Sequence, residues 1–82
     1  MENQTLEQIK ISAFEVAEWF TRVYKEVAIS HPDAESYANY LANLNCEWEF
    51  ENRPEFYKKY SKEILQSTKD GAIKFYNEIT VK

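Results

Sequence analysis

The feature that most constrains the fold is a run of regularly spaced apolar residues in the first third of the chain. Their spacing alternates between three and four positions, which places them on one face of an α-helix. This seam consists of Leu6, Ile9, Ala13, Val16, Phe20, Val23 and Val27, with Ala17, Trp19 and Tyr24 at its edges. Charged residues such as Glu15 and Glu18 fall on the opposite side. The pattern predicts a long amphipathic helix from about residue 6 to residue 29, opened by a capping box formed by Thr5 and Gln8.

Two prolines punctuate the rest of the chain. The residue before a proline is disfavoured in the helical conformation, and proline itself suits the first turn of a helix. Pro32 therefore predicts the start of a second helix, which should end between Asn45 and Trp48. Pro54 repeats the signal and opens a third helix. Gly71, the only glycine, is predicted to end that helix.

These segments predict an all-α fold, a compact bundle of three long helices plus a short C-terminal helix, in a single domain over residues 1–82. One pattern favours an alternative. Residues 46–51 alternate apolar and acidic side chains with a period of two, which is typical of a half-buried strand, and residues 73–81 also fit a strand. The alternative is an α+β fold with short strands near 46–51 and 73–81.

The chain offers few groups for catalysis or cofactor binding. It has one cysteine, Cys46, and one histidine, His31, so an internal disulfide, a zinc site and a Cys-His nucleophilic pair all lack their partners. No apolar run approaches the ~20 residues that cross a bilayer, and no basic-then-apolar leader begins the sequence. We expect a non-enzymatic, cytoplasmic protein with no cofactor, no metal site and no direct membrane insertion.

Two apolar residues of the first helix lie outside its seam. Ile11 and Phe14 are one turn apart among charged neighbours, so they should point away from the first packing face. Either the C-terminal element covers them, or they form a patch that binds another protein chain. Under the second hypothesis, the partner is a second copy of this chain or a regulatory target.

The segment Glu47, Trp48, Glu49, Phe50 and Glu51 is the sharpest charge feature. In an extended segment the three carboxylates would share one face, with the two aromatic rings on the other. Three carboxylates could bind a cation, but no further oxygen ligands stand at calcium-loop spacing. A solvated face, or a surface that docks a basic partner, is the favoured interpretation.

A second functional hypothesis rests on the basic patch between Lys58 and Lys74. Its lysines alternate with aromatic residues, and the full set is Lys58, Lys59, Lys62, Lys69 and Lys74 with Tyr57, Tyr60, Phe75 and Tyr76. Such a patch on a small helical protein could make it a nucleic-acid-binding or transcriptional regulator. The net charge of -4 and the absence of arginine among these bases argue against that function.

The chain as a whole resembles the lysis-inhibition accessory (rapid-lysis) proteins of T-even bacteriophages. The resemblance lies in the length of 82 residues, the opening Met1-Glu2-Asn3-Gln4, and a glycine-poor, tyrosine- and lysine-rich helical style seen in residues 57–63. It carries over no functional residue. It implies a regulator in the host cell cytosol that binds the cytosolic N-terminal part of the phage holin and delays lysis. Together with the residues, it predicts a protein-binding regulator whose partner is that holin segment or another phage or host regulator.

Overall fold

The computed structural model describes residues 5–80, which form four α-helices. These are α1 (Leu6–Val23), α2 (Lys25–Ile29), α3 (Ala34–Asn52) and α4 (Pro54–Thr80). No strand occurs within residues 5–80, so the all-α prediction is confirmed. Residues 46–51 and 73–80 are helical, and Val81, the end of the second predicted strand, lies outside the described residues. The three long helices are α1, α3 and α4, and the short helix follows α1 instead of ending the chain.

The first helix begins as predicted but ends earlier. The Thr5 hydroxyl accepts a hydrogen bond from the Gln8 backbone N–H, and the Gln8 side chain accepts one from the Thr5 N–H, which completes the capping box. The prediction of one helix to residue 29 is wrong, because Tyr24 has non-helical angles (φ -111°, ψ 51°). The break redirects the chain into α2, and this turn lets Ala28 reach the core, where it is fully buried.

The second long helix, α3, begins after the predicted proline and runs further than predicted. Asp33 is its N-cap, and its carboxylate accepts a hydrogen bond from the Ser36 N–H at 2.8 Å. The helix ends at Asn52 because Arg53 precedes Pro54 and adopts non-helical angles (φ -142°, ψ 65°). A single residue therefore connects α3 to α4.

The last helix continues through Gly71, so the predicted helix end there is wrong. The glycine is explained by a close approach of two helices. A Cβ atom at Gly71 would lie 2.9 Å from the Cβ of Ala17 and 2.9 Å from the carbonyl oxygen of Phe14. The irregular point of α4 is instead Tyr60, whose φ and ψ are -120° and 24°.

Helix α4 lies between its two long neighbours. Both α1 and α3 pack closely against α4, whereas the backbones of α1 and α3 stay farther apart and these two helices meet through side chains such as Thr21 and Tyr37. Ile9 packs near Ile64, and Phe14 near Phe75, so α1 runs parallel to α4. Asn45 of α3 donates a hydrogen bond to Thr68 of α4, and the ring of Tyr37 contacts the ring of Tyr76. These two contacts show that α3 runs antiparallel to α4.

The buried face of α1 is rotated from the predicted seam. Its centre consists of Ile9, Ala13, Ala17 and Thr21, whereas Leu6, Val16 and Val23 of the seam are exposed and Phe20 is half-buried. The close contact with Gly71 explains the rotation, because only small side chains such as those of Ala13 and Ala17 fit where two helix backbones approach closely. Alanines from the other helices complete this interior: Ala28, Ala38, Ala42 and Ala72 are all buried.

Buried hydrogen bonds join the helices to one another. The Thr21 hydroxyl donates to the Ala17 carbonyl oxygen, so the Tyr37 hydroxyl must be the donor in its 2.8 Å contact with Thr21. The same arrangement recurs between α3 and α4: Thr68 donates to its own helix and accepts from Asn45 at 3.0 Å. No buried side-chain nitrogen or oxygen within residues 5–80 lacks a partner.

Candidate docking groove

An apolar groove lies between α1 and α3, the two helices that pack on α4. We call it the α1–α3 groove. It has a volume of about 440 Å³ and is lined by Val16, Trp19, Phe20, Leu41, Leu44, Asn45, Trp48 and Glu49. Most of this lining is apolar, and Leu41 at its floor is fully buried.

The walls of the groove expose large apolar side chains. Trp19 on α1 is 56% exposed and Trp48 on α3 is 54% exposed, and Val16 and Leu44 are also exposed. These are the two tryptophans of the chain. Exposed aromatic and aliphatic side chains that converge on one concave surface are typical of a binding site, since single exposed apolar residues need no explanation but a contiguous patch does.

The groove continues towards the α3–α4 connection in a smaller recess of about 210 Å³, which shares Val16, Trp48 and Glu49 with it. The nearly buried Glu49 accepts two hydrogen bonds from the Arg53 guanidinium, at 2.9 and 3.1 Å. The same guanidinium lies 4.0 Å from the ring centre of Phe56. Arg53 is thus held on both sides and neutralises the one carboxylate that lines the groove.

Exposed carboxylates lie near the groove-lining residues in sequence, but they do not line the groove. Glu15 lies one turn from Trp19 on α1, and on α3 Glu47 and Glu51 lie one turn from Leu44 and Trp48, respectively. All three carboxylates are exposed, and none forms an ion pair with any residue in the range 5–80. Helix α3 has four glutamates and neither lysine nor arginine.

The structure separates the residues of the predicted acidic face. Because residues 46–51 are helical, Glu49 faces inward, Trp48 faces the groove, and Glu47 and Glu51 face solvent. Phe50 lies on the other side of α3, where it contacts the ring of Tyr57 edge to face with ring centres 6.2 Å apart. The prediction that the three carboxylates share one face is therefore wrong.

Phe50 lies in a shallow depression outside the groove. The other residues that line it are Asn43, Cys46, Glu47, Glu51 and Tyr57. The neighbouring Cys46 thiol raises the pKa of the Tyr57 hydroxyl, and burial contributes to the same shift. Cys46 itself is buried.

The other predicted apolar pair does not form one exposed patch. Phe14 is half-buried and packs edge to face on Phe75 of α4, with ring centres 5.6 Å apart. Ile11 remains 50% exposed. The C-terminal helix thus covers Phe14 and leaves Ile11 in solvent, and neither residue lines the groove.

The basic patch is divided in a similar way. Lys58, Lys59 and Lys62 are exposed near the start of α4, whereas Lys74 pairs with Glu78 at 3.3 Å. Two of its aromatic members, Phe75 and Tyr76, are buried in the core. Aromatic side chains therefore do not form a continuous stacking surface with the lysines.

The groove itself was missed by sequence reasoning, although part of its lining was noted. Val16 and Phe20 belong to the apolar seam predicted for the first helix. The sequence feature that could have predicted the groove is the width of the apolar face of α1. Trp19 makes this face wider than one neighbouring helix can cover.

His31 is held by local contacts near the end of α2. Its Nδ1–H donates to the Val27 carbonyl oxygen at 3.0 Å, its own carbonyl oxygen accepts from the Tyr76 hydroxyl at 2.8 Å, and its ring packs near Tyr37 and Tyr40. Among residues 5–80, no three His, Cys, Asp or Glu side chains are grouped so that they could hold a metal ion. No helix in that same range is both long and apolar enough to span a membrane.

Comparison with known proteins yields no relative. No protein-family model matches the chain, and no significant similarity to a curated protein or a solved structure is found.

Proposed function

We propose that the protein is a non-enzymatic regulator that acts by binding another protein, and that the α1–α3 groove is its binding surface. The observation that carries this proposal is the convergence of Val16, Trp19, Leu44 and Trp48, all exposed, on one concave surface. Aromatic anchors in an apolar pocket dominate the energy of most protein interfaces.

The size of this surface is sufficient for a regulatory interaction. Fully burying one large apolar side chain is worth about 1.5 to 3 kcal/mol. Since the four side chains are each roughly half exposed, a partner that covers them would gain about 3 to 6 kcal/mol before the cost of association. A few contacts with the partner's own apolar residues would bring the affinity into the range of transient complexes.

The resemblance to the rapid-lysis accessory proteins of T-even phages gives the proposal a specific partner. In this form, the protein acts in the host cell cytosol, binds the cytosolic N-terminal part of the phage holin, and delays host lysis. The groove supports the binding part of this proposal, because it offers an exposed, concave apolar surface.

The test is a titration of a fluorescently labelled synthetic peptide with the sequence of the cytosolic N-terminal part of a T-even phage holin. We expect its anisotropy to rise with the wild-type protein and with Ile11→Glu, the matched control outside the groove. Leu44→Glu places a charge inside the groove and should abolish the rise while the circular dichroism spectrum stays helical. Equal binding by Leu44→Glu would refute the groove, and no binding by the wild-type protein would refute the holin segment as the partner.

A second candidate function rests on the exposed lysines at the start of α4. Lys58, Lys59 and Lys62 form no ion pair with other residues of the described chain, so they could contact a phosphate backbone. Binding to a labelled DNA duplex at two salt concentrations tests this function. An affinity that falls steeply with salt and disappears in Lys58→Glu/Lys62→Glu would favour the nucleic-acid function, because phosphate neutralisation releases counterions.

A further inference from the structure

We infer that a second copy of the chain covers the α1–α3 groove in the free protein, so that two copies pack groove to groove as a symmetric dimer. The inference goes beyond the proposed function, because it concerns the groove before any other protein binds there. It is carried by the apolar rows on the two walls of the groove and by the area of the face that contains them.

Each wall of the groove carries apolar side chains that α4 does not cover. Val16 and Trp19 form the wall on α1, and Leu44 and Trp48 form the wall on α3. All four residues are between 38% and 56% exposed. The contact of α1 with α4 is made by other residues, such as the fully buried Ala17. Each helix therefore has a second apolar row besides the one that packs on α4.

The spacing of these rows is that of helices packed side by side. Leu41, Leu44 and Trp48 on α3 are separated by three and then four positions. On α1, Val16 and Trp19 are three positions apart, and the exposed Val23 follows after four. Alternating steps of three and four form the contact seams of helix bundles and coiled coils. The surface that fits these two rows is a second pair of helices.

The chain itself supplies such a pair. Because α1 runs parallel to α4 and α3 runs antiparallel to it, α1 and α3 are antiparallel to each other. A two-fold axis in the plane of the face and parallel to the helices would place α1 of one copy on α3 of the other. Every neighbouring pair of helices is then antiparallel, as in an up-down four-helix bundle.

The register of the two walls fits this symmetry. Val16 and Trp48 lie at one level along the groove, since both also line the smaller recess. A two-fold axis parallel to the helices keeps each residue at its level. Trp48 of each copy would therefore lie opposite Val16 of the other copy, which is the reciprocal contact that an isologous interface requires.

The area of the face is sufficient for a stable dimer. The described chain measures 43 × 20 × 19 Å, and its long dimension follows the 27-residue helix α4, so a face along the helices has about the 800 Å² that one partner contributes to a standard interface. Trp19 and Trp48 are each about half exposed. Since a tryptophan can bury about 150 to 250 Å², the four tryptophans of a dimer would cover about 300 to 550 Å² of apolar surface. Val16 and Leu44 add to this interface core.

The charges of the chain allow burial of the groove and predict an effect of salt. Among the described residues that line the groove, Glu49 is the charged one, and it is buried and bonded to the Arg53 guanidinium. Covering the groove therefore leaves no lining charge without a partner. Each whole chain carries a net charge of -4, so two copies repel each other until salt screens them. The dimer should become tighter as salt is added.

Such a dimer would control access to the groove. It covers the side chains that the proposed function assigns to a partner protein, so that partner must compete with the second copy. The apparent affinity for the partner should then fall as the protein concentration rises, because a smaller fraction of the chains has an open groove.

Sedimentation equilibrium and tryptophan emission test the inference on the full chain. We expect the mass of two chains at high protein concentration. Both tryptophans of the chain line the groove, so dilution through the dissociation constant should shift their emission to the red. The dissociation constant should be lower at about 0.5 M than at about 0.05 M sodium chloride, as expected for two like-charged copies with an apolar interface.

Three variants locate the interface. Leu44→Glu places one charge from each copy in the groove and should raise the dissociation constant by about a hundredfold or more. Trp48→Ala truncates a half-exposed side chain, so it should leave the helical circular dichroism spectrum unchanged while it weakens the dimer by about tenfold or more. Ile11→Glu is the matched control, because Ile11 is 50% exposed and lies outside the groove, and it should keep the wild-type dissociation constant.

Three outcomes would overturn the inference. The first is a wild-type protein that keeps the mass of one chain up to roughly 1 mM; the holin-peptide titration could still succeed, so the proposed function would survive. The second is a dimer that persists in both Leu44→Glu and Trp48→Ala, which would place the interface on another face. The third is a dimer that dissociates when salt is added, which would show that attraction between opposite charges holds it. A dimer that responds as expected while the holin peptide fails to bind would support the inference and refute the holin segment as the partner.

Discussion

The buried contact between Thr21 and Tyr37 predicts an unequal cost for removing its two hydroxyl groups. Both residues are fully buried, and the Thr21 hydroxyl lies between the Ala17 carbonyl oxygen at 2.7 Å and the Tyr37 hydroxyl at 2.8 Å. Tyr37→Phe removes the donor, but it leaves the Thr21 hydroxyl bonded to Ala17. Thr21→Val keeps the shape of the side chain, but it leaves the Tyr37 hydroxyl buried without a partner.

The magnitudes follow from this difference. Loss of a satisfied hydrogen bond costs about 0.5 to 1.5 kcal/mol, so Tyr37→Phe should lower the free energy of unfolding by that amount. Thr21→Val leaves a buried polar group without a partner, which costs about 1 to 3 kcal/mol in all, so it should cost more than Tyr37→Phe. Threonine and valine have similar helix propensities, and the helix itself therefore contributes little to the comparison. In the double variant both partners are apolar, and its free energy of unfolding should exceed that of Thr21→Val alone.

Urea denaturation followed by circular dichroism measures these differences. With a slope of about 1 kcal/mol per molar urea for a domain of this size, Thr21→Val should lower the midpoint by about 1 to 3 M, and Tyr37→Phe by about 1 M. The reasoning is refuted if Tyr37→Phe costs as much as Thr21→Val, or if the double variant shows the sum of the two single losses.

Three further results are expected. Gly71→Ala should lower the melting temperature, because the added Cβ would lie 2.9 Å from the Phe14 carbonyl oxygen. This clash should outweigh the gain of about 1 kcal/mol in helix propensity that alanine has over glycine. A variant that is more stable than the wild-type protein would contradict the close helix contact. Burial raises the pKa of the Tyr37 hydroxyl above the ordinary tyrosine value of about 10. At pH values above about 10, the unfolded chain therefore releases a proton that the folded chain keeps. Stability should therefore fall as pH rises past that value, and less steeply in Tyr37→Phe, when urea midpoints are measured between pH 8 and pH 11. Phe14→Glu should unfold the domain, because it replaces the contact with Phe75 by a charge. Ile11→Glu should leave the melting temperature nearly unchanged. Equal melting temperatures of the two variants would show that α4 does not cover Phe14.

Local signals in the sequence predicted most of the helix starts. The capping box of Thr5 and Gln8 and the prolines at 32 and 54 act through neighbouring residues, and each stands within two residues of a helix start. The alternation in residues 46–51 was ambiguous for a physical reason. In a strand, this alternation would place all three carboxylates on one face. In a helix, it places Glu49 on the inner side, where the hydrogen-bonded guanidinium of Arg53 neutralises its charge.

The features that were not predicted depend on contacts between helices. A glycine that ends a helix and a glycine that admits a neighbouring helix look the same in one sequence, and Gly71 was the second kind. The rotation of α1 follows from the same contact with Ala17. To predict the groove, one would need to know that α1 and α3 both pack on α4 and leave a gap between them. No property of Val16 or Leu44 alone reveals that.

The single-residue connection at Arg53 has a consequence for the order of folding. Helices α3 and α4 share the most extensive interface of the chain, and closing a short loop costs less entropy than bringing α1 to α4 across α2 and α3. The α3–α4 hairpin should therefore assemble first, and α1 should dock on it after the rate-limiting step. Ala42→Gly in the hairpin is then expected to slow folding, with a φ-value of about 0.5 to 0.8, whereas Ala13→Gly in α1 should mainly speed unfolding, with a value of about 0 to 0.3.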